Sequence, residues 1–465
     1  MAVIRAVVQK IATILWQFPA CLTSWRRPDA LYMRLRASEI LQQLQDENWT
    51  GLRQQFLPVF RWFIPVTLLS KGWHLVCSGL GPLESVGDPV ITTGWWMTTA
   101  KVPVQFERAN FGILLQMTPT GSLFGLRVVP QYMLGLGPGW QVPGYADGDA
   151  VRESAITLGK GQYKVEGSLC LPPATVPVTD DMPYPRYPCV VMLAGSGPCD
   201  RDSTVSASKP FKDLALGLAQ QGIASIRFDK VTHTHRKALR ACKDITLTDE
   251  YVEHAVDAVL QSQRHPDILP DQVYILGHSL GAVVAPTIAA ADASIAGCIL
   301  LAGPAGPLYR AVVRQLRYLA SLGGPDQEAL EKKCVEAQRQ AEVADSPTLS
   351  LSTPASQLPL GIGPAYWLDY RRFEPLETAA RVATTRPVLV LQGGRDYQVT
   401  LADDYEKWHA ALHGSRNVEF HVYESLNHLF IPGQGLSTPL EYSVPGNVDE
   451  QVITDVSRWV SRTLN

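Results

Sequence analysis

Apolar positions along the chain change their spacing several times, and each change marks an element. Val3, Ile4, Val7, Val8, Ile11, Leu15 and Phe18 recur at helical spacing, with Arg5, Gln9, Lys10, Thr13 and Gln17 between them. This predicts an amphipathic helix within residues 1–30. A second helix is expected over 34–48, and a further helix-like run passes through Phe56, Phe60 and Phe63. The period then falls towards two. Segments 89–101, 102–106, 112–117 and 123–129 read as short antiparallel strands separated by Gly, Pro and Asn turns. Helices followed by a meander predict a small α+β domain over 31–133.

A Gly/Pro-rich linker over 134–152 separates this region from a different pattern. Strand candidates at 164–171, 189–193, 224–228, 273–276, 298–301, 388–391 and 418–422 alternate with helical runs near 209–221, 248–264, 280–291, 401–413 and 448–463. The strand cores CVVML, CILLA and VLVLQ are apolar throughout, as expected of strands covered on both faces. The prediction for 153–465 is an α/β domain with a mostly parallel sheet flanked by helices. One interval, about 305–385, interrupts the alternation. It holds helical segments 309–322 and 327–344, a Pro-rich stretch, and the aromatics Tyr366, Trp367, Tyr370 and Phe373. An insertion of this length reads as a lid covering a substrate, with plain surface decoration as the alternative.

Composition narrows the function classes. The 465 residues carry a formal charge of −3 with no strongly basic block, which leaves no phosphate-tracking groove and no expected nucleic-acid partner. The eight cysteines form no CxxC and no short Cys/His cluster, so neither a zinc site nor any other metal is expected. Cys189 and Cys298 sit inside apolar runs, where a buried thiol is the better reading, and the overall thiol usage suits a reducing compartment. No stretch is long and apolar enough for a transmembrane segment. Lys10 interrupts what would be a secretory-signal core, and the expected location is cytoplasmic. Yet Arg5, Lys10, Arg26 and Arg27 precede any acidic residue before Asp29, so residues 1–28 also resemble an organelle-targeting or membrane-surface segment. The helix there is read as packed on its own protein or on a second subunit in a homodimer. In the 31–133 region, Trp49, Trp62, Trp73, Trp95 and Trp96 accompany no convergent His/carboxylate set. They are read as core, with a cleft wall or dimerisation surface as the alternative.

Chemistry concentrates in the second region. Gly277-His278-Ser279-Leu280-Gly281 follows a predicted strand and opens a predicted helix. A serine on that turn is presented at the sheet's edge, the flanking glycines allow close backbone approach, and the helix N-terminus supplies free N–H groups. The serine needs a base, and the base an orienting carboxylate. His428, in the loop after the last predicted strand, outcompetes the other histidines: His409 and His413 fall on a helix and His421 inside a strand. Asp396, behind the turn Gln392-Gly393-Gly394-Arg395, takes the acid role. Asp403 and Asp404 read as caps of the next helix, and Glu424 is the outside competitor. Leu193-Ala194-Gly195-Ser196-Gly197-Pro198 supplies a loop whose Ser196 or Gly195 N–H would join that of Leu280 as an oxyanion hole. His233 and His235 are spaced for a metal but lack a third ligand, and are read as plain loop. No cofactor is implied.

These segments resemble a family. AGSGPCDRD (194–202), KPFKDLALGLAQQGIASIRFDK (209–230), GHSLGA (277–282), GGRDYQV (393–399) and NHLF (427–430) make residues 155–465 similar to α/β-hydrolases of the esterase, acyl-thioesterase and dienelactone-hydrolase-like group. Residues 31–131 are similar to the small α+β domain often fused ahead of them. The chain departs from the family at Ala194, where a histidine is usual. Asp200-Arg201-Asp202 and Asp229-Lys230 match, and are expected to form an ion-pair network beneath the site. The resemblance implies a Ser279–His428–Asp396 triad acting on an ester or thioester of an apolar or bulky small molecule. Two alternatives are an acyltransferase or cyclase using the same triad and a non-catalytic binding protein retaining the fold.

Overall fold

A computed structural model describes residues 29–137, 139–173, 186–241, 244–323 and 327–463. The helix expected within residues 1–30, and the targeting or dimer roles attached to it, lie outside the described residues but for its last two positions. Contacts divide the chain between Pro138 and Gly139 into two compact units.

In the first unit, helices Ala30–Gln45, Trp49–Gln55, Pro58–Arg61 and Val66–Leu80 accompany a five-stranded antiparallel sheet. Its strands are β1 (Leu83–Val86), β2 (Val90–Thr93), β3 (Thr98–Phe106), β4 (Asn110–Met117) and β5 (Leu123–Pro130), with β1 and β2 sharing one edge of β3. The expected break between 101 and 102 is absent: β3 runs through it. Pro103, which has no N–H to give, falls where β1 has ended and β2 not begun, and its carbonyl instead accepts from the Gly87 N–H at 2.8 Å. The helix-like run at 56–63 is cut by Pro58 and Pro65, and the longer helix begins after the second proline. The tryptophans correct the core reading. Trp73 is buried, but Trp62 is 90% exposed and Trp95 and Trp96 are 66% and 67% exposed.

The second unit carries an eight-stranded sheet in the order β13-β12-β11-β10-β8-β9-β7-β6. These strands are β6 (Arg152–Leu158), β7 (Val165–Leu171), β8 (Tyr187–Leu193), β9 (Ala224–Phe228), β10 (Ile268–His278), β11 (Ile295–Leu301), β12 (Val388–Gly393) and β13 (Val418–Tyr423). From β8 to β13 the neighbours run parallel, while β7 is antiparallel to β9 and β6 to β7. Alternate residues feed two separate cores. Cys189, Val191 and Leu193 of β8 and Val388 and Val390 of β12 join one that includes Tyr251, Val283, Ala379 and Trp408. Val190, Met192, Leu389 and Leu391 join the other, with Phe211, Leu214, Val456 and Trp459. Side chains alternate across a strand, so a strand covered on both faces must be apolar at every position. Cys189 and Cys298 are fully buried, which pushes the Cys189 thiol up to about 12.

Helices Leu308–Ser321 and Gln327–Asp345 pack on each other between β11 and β12. The rest of the 305–385 interval behaves differently. Tyr366, Trp367, Tyr370 and Phe373 are buried in the first core, and helix Pro375–Ala383 packs on helix Leu280–Ala291. Those four aromatics stabilise the fold rather than line a cleft.

Candidate active site

Strand β10 ends at His278, and helix Leu280–Ala291 starts two residues later, so Ser279 must turn the chain sharply. It does so at φ 54° and ψ −119°, a left-handed backbone that costs a non-glycine residue on the order of 1–3 kcal/mol. The flanking glycines have steric causes. A Cβ at Gly277 would stand 2.2 Å from the Gly281 carbonyl oxygen, and one at Gly281 would stand 2.2 Å from that of Leu193. The Ser279 side chain thus sits at the C-terminal edge of the sheet, against the N-terminus of a helix whose first N–H groups have no intrahelical partner.

Asp396 follows β12, and His428 follows β13. The His428 Nδ1–H donates to Asp396 Oδ2 at 2.6 Å, which leaves Nε2 as the ring's other functional nitrogen. Oδ2 also accepts from Gln392 Nε2 at 3.2 Å, and Oδ1 accepts from the N–H groups of Gln398 (2.8 Å) and Val399 (3.0 Å). Four hydrogen bonds therefore fix the carboxylate. The glycine pair before it is needed because the two loops touch: a Cβ at Gly393 would lie 2.6 Å from the carbonyl oxygens of Leu426 and Asn427. The His428 loop is held by Asn427, whose Oδ1 accepts from the N–H groups of Leu429 (2.9 Å) and Ile431 (3.2 Å). Glu424, by contrast, is exposed. The helix cap expected of Asp403 and Asp404 is partly Thr400, which accepts from the Asp403 N–H at 3.0 Å, while buried Asp404 accepts from the Ala305 N–H at 3.0 Å.

The loop Ala194–Pro198 closes in from β8. A Cβ on Gly195 would be 3.2 Å from the Ser279 Cβ and 3.4 Å from His278 Nδ1, so this loop abuts the serine turn. Leu280 opens the helix on the other side.

Residues not singled out as functional from the sequence complete the arrangement. The His278 Nε2–H donates to the backbone oxygen of His428 at 2.8 Å, and the two rings stand 4.7 Å apart. Complete burial, followed by the nearness of His428, lowers the His278 pKa to about 3, so it stays neutral. Tyr397, next to Asp396, and Leu429, next to His428, form an apolar cluster with Tyr442. Tyr318 from helix Leu308–Ser321 stacks on Tyr397 at 5.2 Å. These side chains arrive from separate segments: His278, Tyr397 and Leu429 lie in motifs visible in the sequence, whereas Tyr318 and Tyr442 do not.

The expected ion pairs are present in part, since Lys230 pairs elsewhere, with Glu250 at 3.1 Å, and they extend further. Arg201 pairs with Asp229 at 2.9 Å, Asp202 with Arg227 at 2.9 Å and Lys209 at 2.8 Å, and Glu153 with Arg227 at 2.6 Å and Lys212 at 3.1 Å. Burial raises the Asp202 carboxyl, but Lys209 and Arg227 more than offset it and hold its pKa below the usual value. Asp200 stands outside the network and instead accepts from Thr204. His233 and His235 bind backbone oxygens of Pro198 and Lys164, and among the described residues no group of three His, Cys, Asp or Glu side chains is placed to hold a metal. Among them, too, no helix is long and apolar enough to cross a membrane.

The family model described as serine aminopeptidase, S33, matches residues 204–432. Esterase EstD of Thermotoga maritima is 33% identical over 422 residues, covering 90% of this chain and 93% of EstD. Polyketide transferase ATR5 of Stachybotrys chlorohalonatus is 33% identical over 119 residues, 25% of this chain and 36% of that protein. Among solved structures, the esterase domain of a Rhodothermus marinus protein aligns with 67% of this chain and 98% of its own at 15% identity and a TM-score of 0.38. With its end-to-end likeness to EstD, the chain belongs to the α/β-hydrolase family of enzymes.

Proposed function

We propose that this enzyme is a serine esterase or thioesterase in which Ser279 is the nucleophile, His428 the general base and acid, and Asp396 the group that orients the imidazole. The observation that carries this reading is the 2.6 Å contact between His428 Nδ1 and a fully hydrogen-bonded Asp396, with Ser279 held at positive φ on the turn after β10. His428 Nε2 takes the Ser279 hydroxyl proton as Oγ attacks the substrate carbonyl carbon. The oxyanion is held by the N–H groups of Leu280 and of Ser196 or Gly195. Collapse returns the proton to the leaving alcohol or thiol and leaves an acyl-Ser279 ester. Water, deprotonated by the same nitrogen, then releases the acid and restores the serine.

The substrate class inferred is an apolar or bulky acyl compound, supported by the Tyr397–Leu429–Tyr442 cluster bordering the triad. Helices Leu308–Ser321 and Gln327–Asp345 are inferred to be its lid, since Tyr318 reaches Tyr397. Residues 31–133 are taken as an accessory domain joined by the 134–152 linker. A second reading, transfer of the acyl group to a nucleophile other than water, is favoured by the match to a protein named as a polyketide transferase.

Peptide mass spectrometry after fluorophosphonate treatment tests the reading. A single adduct on Ser279 that disappears in His428→Ala is expected, whereas folded protein that takes no label contradicts it.

A further inference from the structure

The Ala194–Ser196 loop rests on a buried cation that the reaction itself does not use. Lys230 is 1% exposed, and its ammonium group has three protons to place. They go to the Gly195 carbonyl oxygen (2.9 Å), the Tyr251 hydroxyl oxygen (2.7 Å) and Glu250 Oε1 (3.1 Å). The Tyr251 hydroxyl, with its oxygen accepting from Lys230, directs its own proton to the carbonyl oxygens of Ala194 and Gly195, each at 2.9 Å. Glu250 is filled by Thr232 (2.9 Å) and Tyr366 (2.8 Å). Lys230, Glu250, Tyr251 and Tyr366 are all buried, out of reach of substrate.

The two carbonyls that receive these protons belong to the two peptide units whose N–H groups are candidates for the oxyanion hole. The Gly195 carbonyl is bonded to the Ser196 nitrogen, and the Ala194 carbonyl to the Gly195 nitrogen. In a trans peptide the C=O and N–H point to opposite sides. Anchoring the oxygens inward on Lys230 and Tyr251 therefore turns both N–H groups outward. A charge on the carbonyl side also draws electron density through the amide, strengthening the N–H as a donor in a chain of hydrogen bonds.

We infer that Lys230, relayed in part by Tyr251, is a positioning residue that aims and polarises the peptide donors of the oxyanion hole. The inference rests on the proposed serine-hydrolase reading. It differs from a plain structural role in what it predicts for a neutral replacement that keeps the packing.

Lys230→Met alone strands the Glu250 carboxylate in the interior and is expected to melt earlier. The decisive variant is therefore Lys230→Met combined with Glu250→Gln, which removes both charges and keeps the volume. With a p-nitrophenyl ester, the double variant should recover the thermal midpoint but keep a kcat about ten- to hundredfold below wild type. Its KM should stay within about twofold. Inhibition by an alkyl trifluoromethyl ketone, which forms an oxyanion on the serine, should weaken by the same factor as kcat. The matching methyl ketone should bind unchanged. Tyr251→Phe should show the same pattern at about tenfold or less. Recovery of kcat together with the midpoint, or a loss confined to KM, would overturn the role of Lys230. Fluorophosphonate labelling of the wild type separates the two levels. If Ser279 fails to label, the hydrolase reading falls; if it labels and the ketone ratio does not move in the double variant, only this inference falls.

Discussion

The two units spend their aromatic residues differently. In the second, Trp367, Trp408 and Trp459 are all buried, and strands β8, β10, β11 and β12 each feed both cores. In the first, the sheet buries one set of alternating positions, as in β3, and three of its tryptophans remain mostly outside. A sheet with helices on both faces constrains every strand residue and leaves its strand ends as the place where polar groups collect. The triad candidates are found there, after β10, β12 and β13. A half-covered sheet sets no such demand, so its composition says little about where its aromatics go.

Four experiments sharpen that contrast, from the largest effect to the smallest. Ser279→Ala or His428→Ala should lower kcat by about 10⁵-fold or more, and Asp396→Asn by about 10⁴-fold, read with an activated ester in protein whose circular dichroism is unchanged. Truncating a buried aromatic comes next. Trp408 is 1% exposed and its indole N–H donates to the Gly303 carbonyl at 2.7 Å, so Trp408→Ala should cost about 3–5 kcal/mol in urea unfolding.

The third concerns pH. His278 has its pKa lowered from 6.5 to about 3 by burial, so the unfolded chain binds a proton there that the folded chain refuses. Its contribution is complete above about pH 6.5 and is lost as the pH falls towards 3, up to about 5 kcal/mol over that window. His278→Gln, which keeps an N–H for the His428 carbonyl but cannot titrate, should flatten the acid limb of a stability–pH curve. An unchanged limb would mean that His278 is not held neutral. Last, Trp62→Ser, at a position 90% exposed, should shift stability by no more than about 0.5 kcal/mol. A loss near that of Trp408→Ala would show the first unit to be built like the second.

Much of this contrast was legible in the sequence. The apolar cores of β8, β11 and β12 mark doubly covered strands directly. Strand β6 was not, because as an edge strand with sequence RESAITL it shows mostly exposed positions. Helix Val66–Leu80 was also missed, although Thr67, Lys71, His74 and Ser78 recur along it at helical spacing. At the site, Ser279, Asp396 and His428 were found because each sits on a turn with its own glycine or strand signature. The supports around them were not. Gln392 lies inside an apolar strand, His278 pairs with a carbonyl on another loop, and Tyr251 meets Ala194 across the fold. Such contacts depend on which strand ends become neighbours, and local spacing carries no record of that. Trp62, Trp95 and Trp96 mislead for a related reason: hydrophobicity favours burial but cannot assign it.

The most direct test of the account is a rapid acid quench of the enzyme with a p-nitrophenyl ester, followed by peptide mass spectrometry. The account predicts a burst of p-nitrophenol equal to the enzyme present, with the acyl group recovered on Ser279 and nowhere else. Turnover by the wild type with no acyl-Ser279 at any quench time, together with full activity in Ser279→Ala, would contradict it.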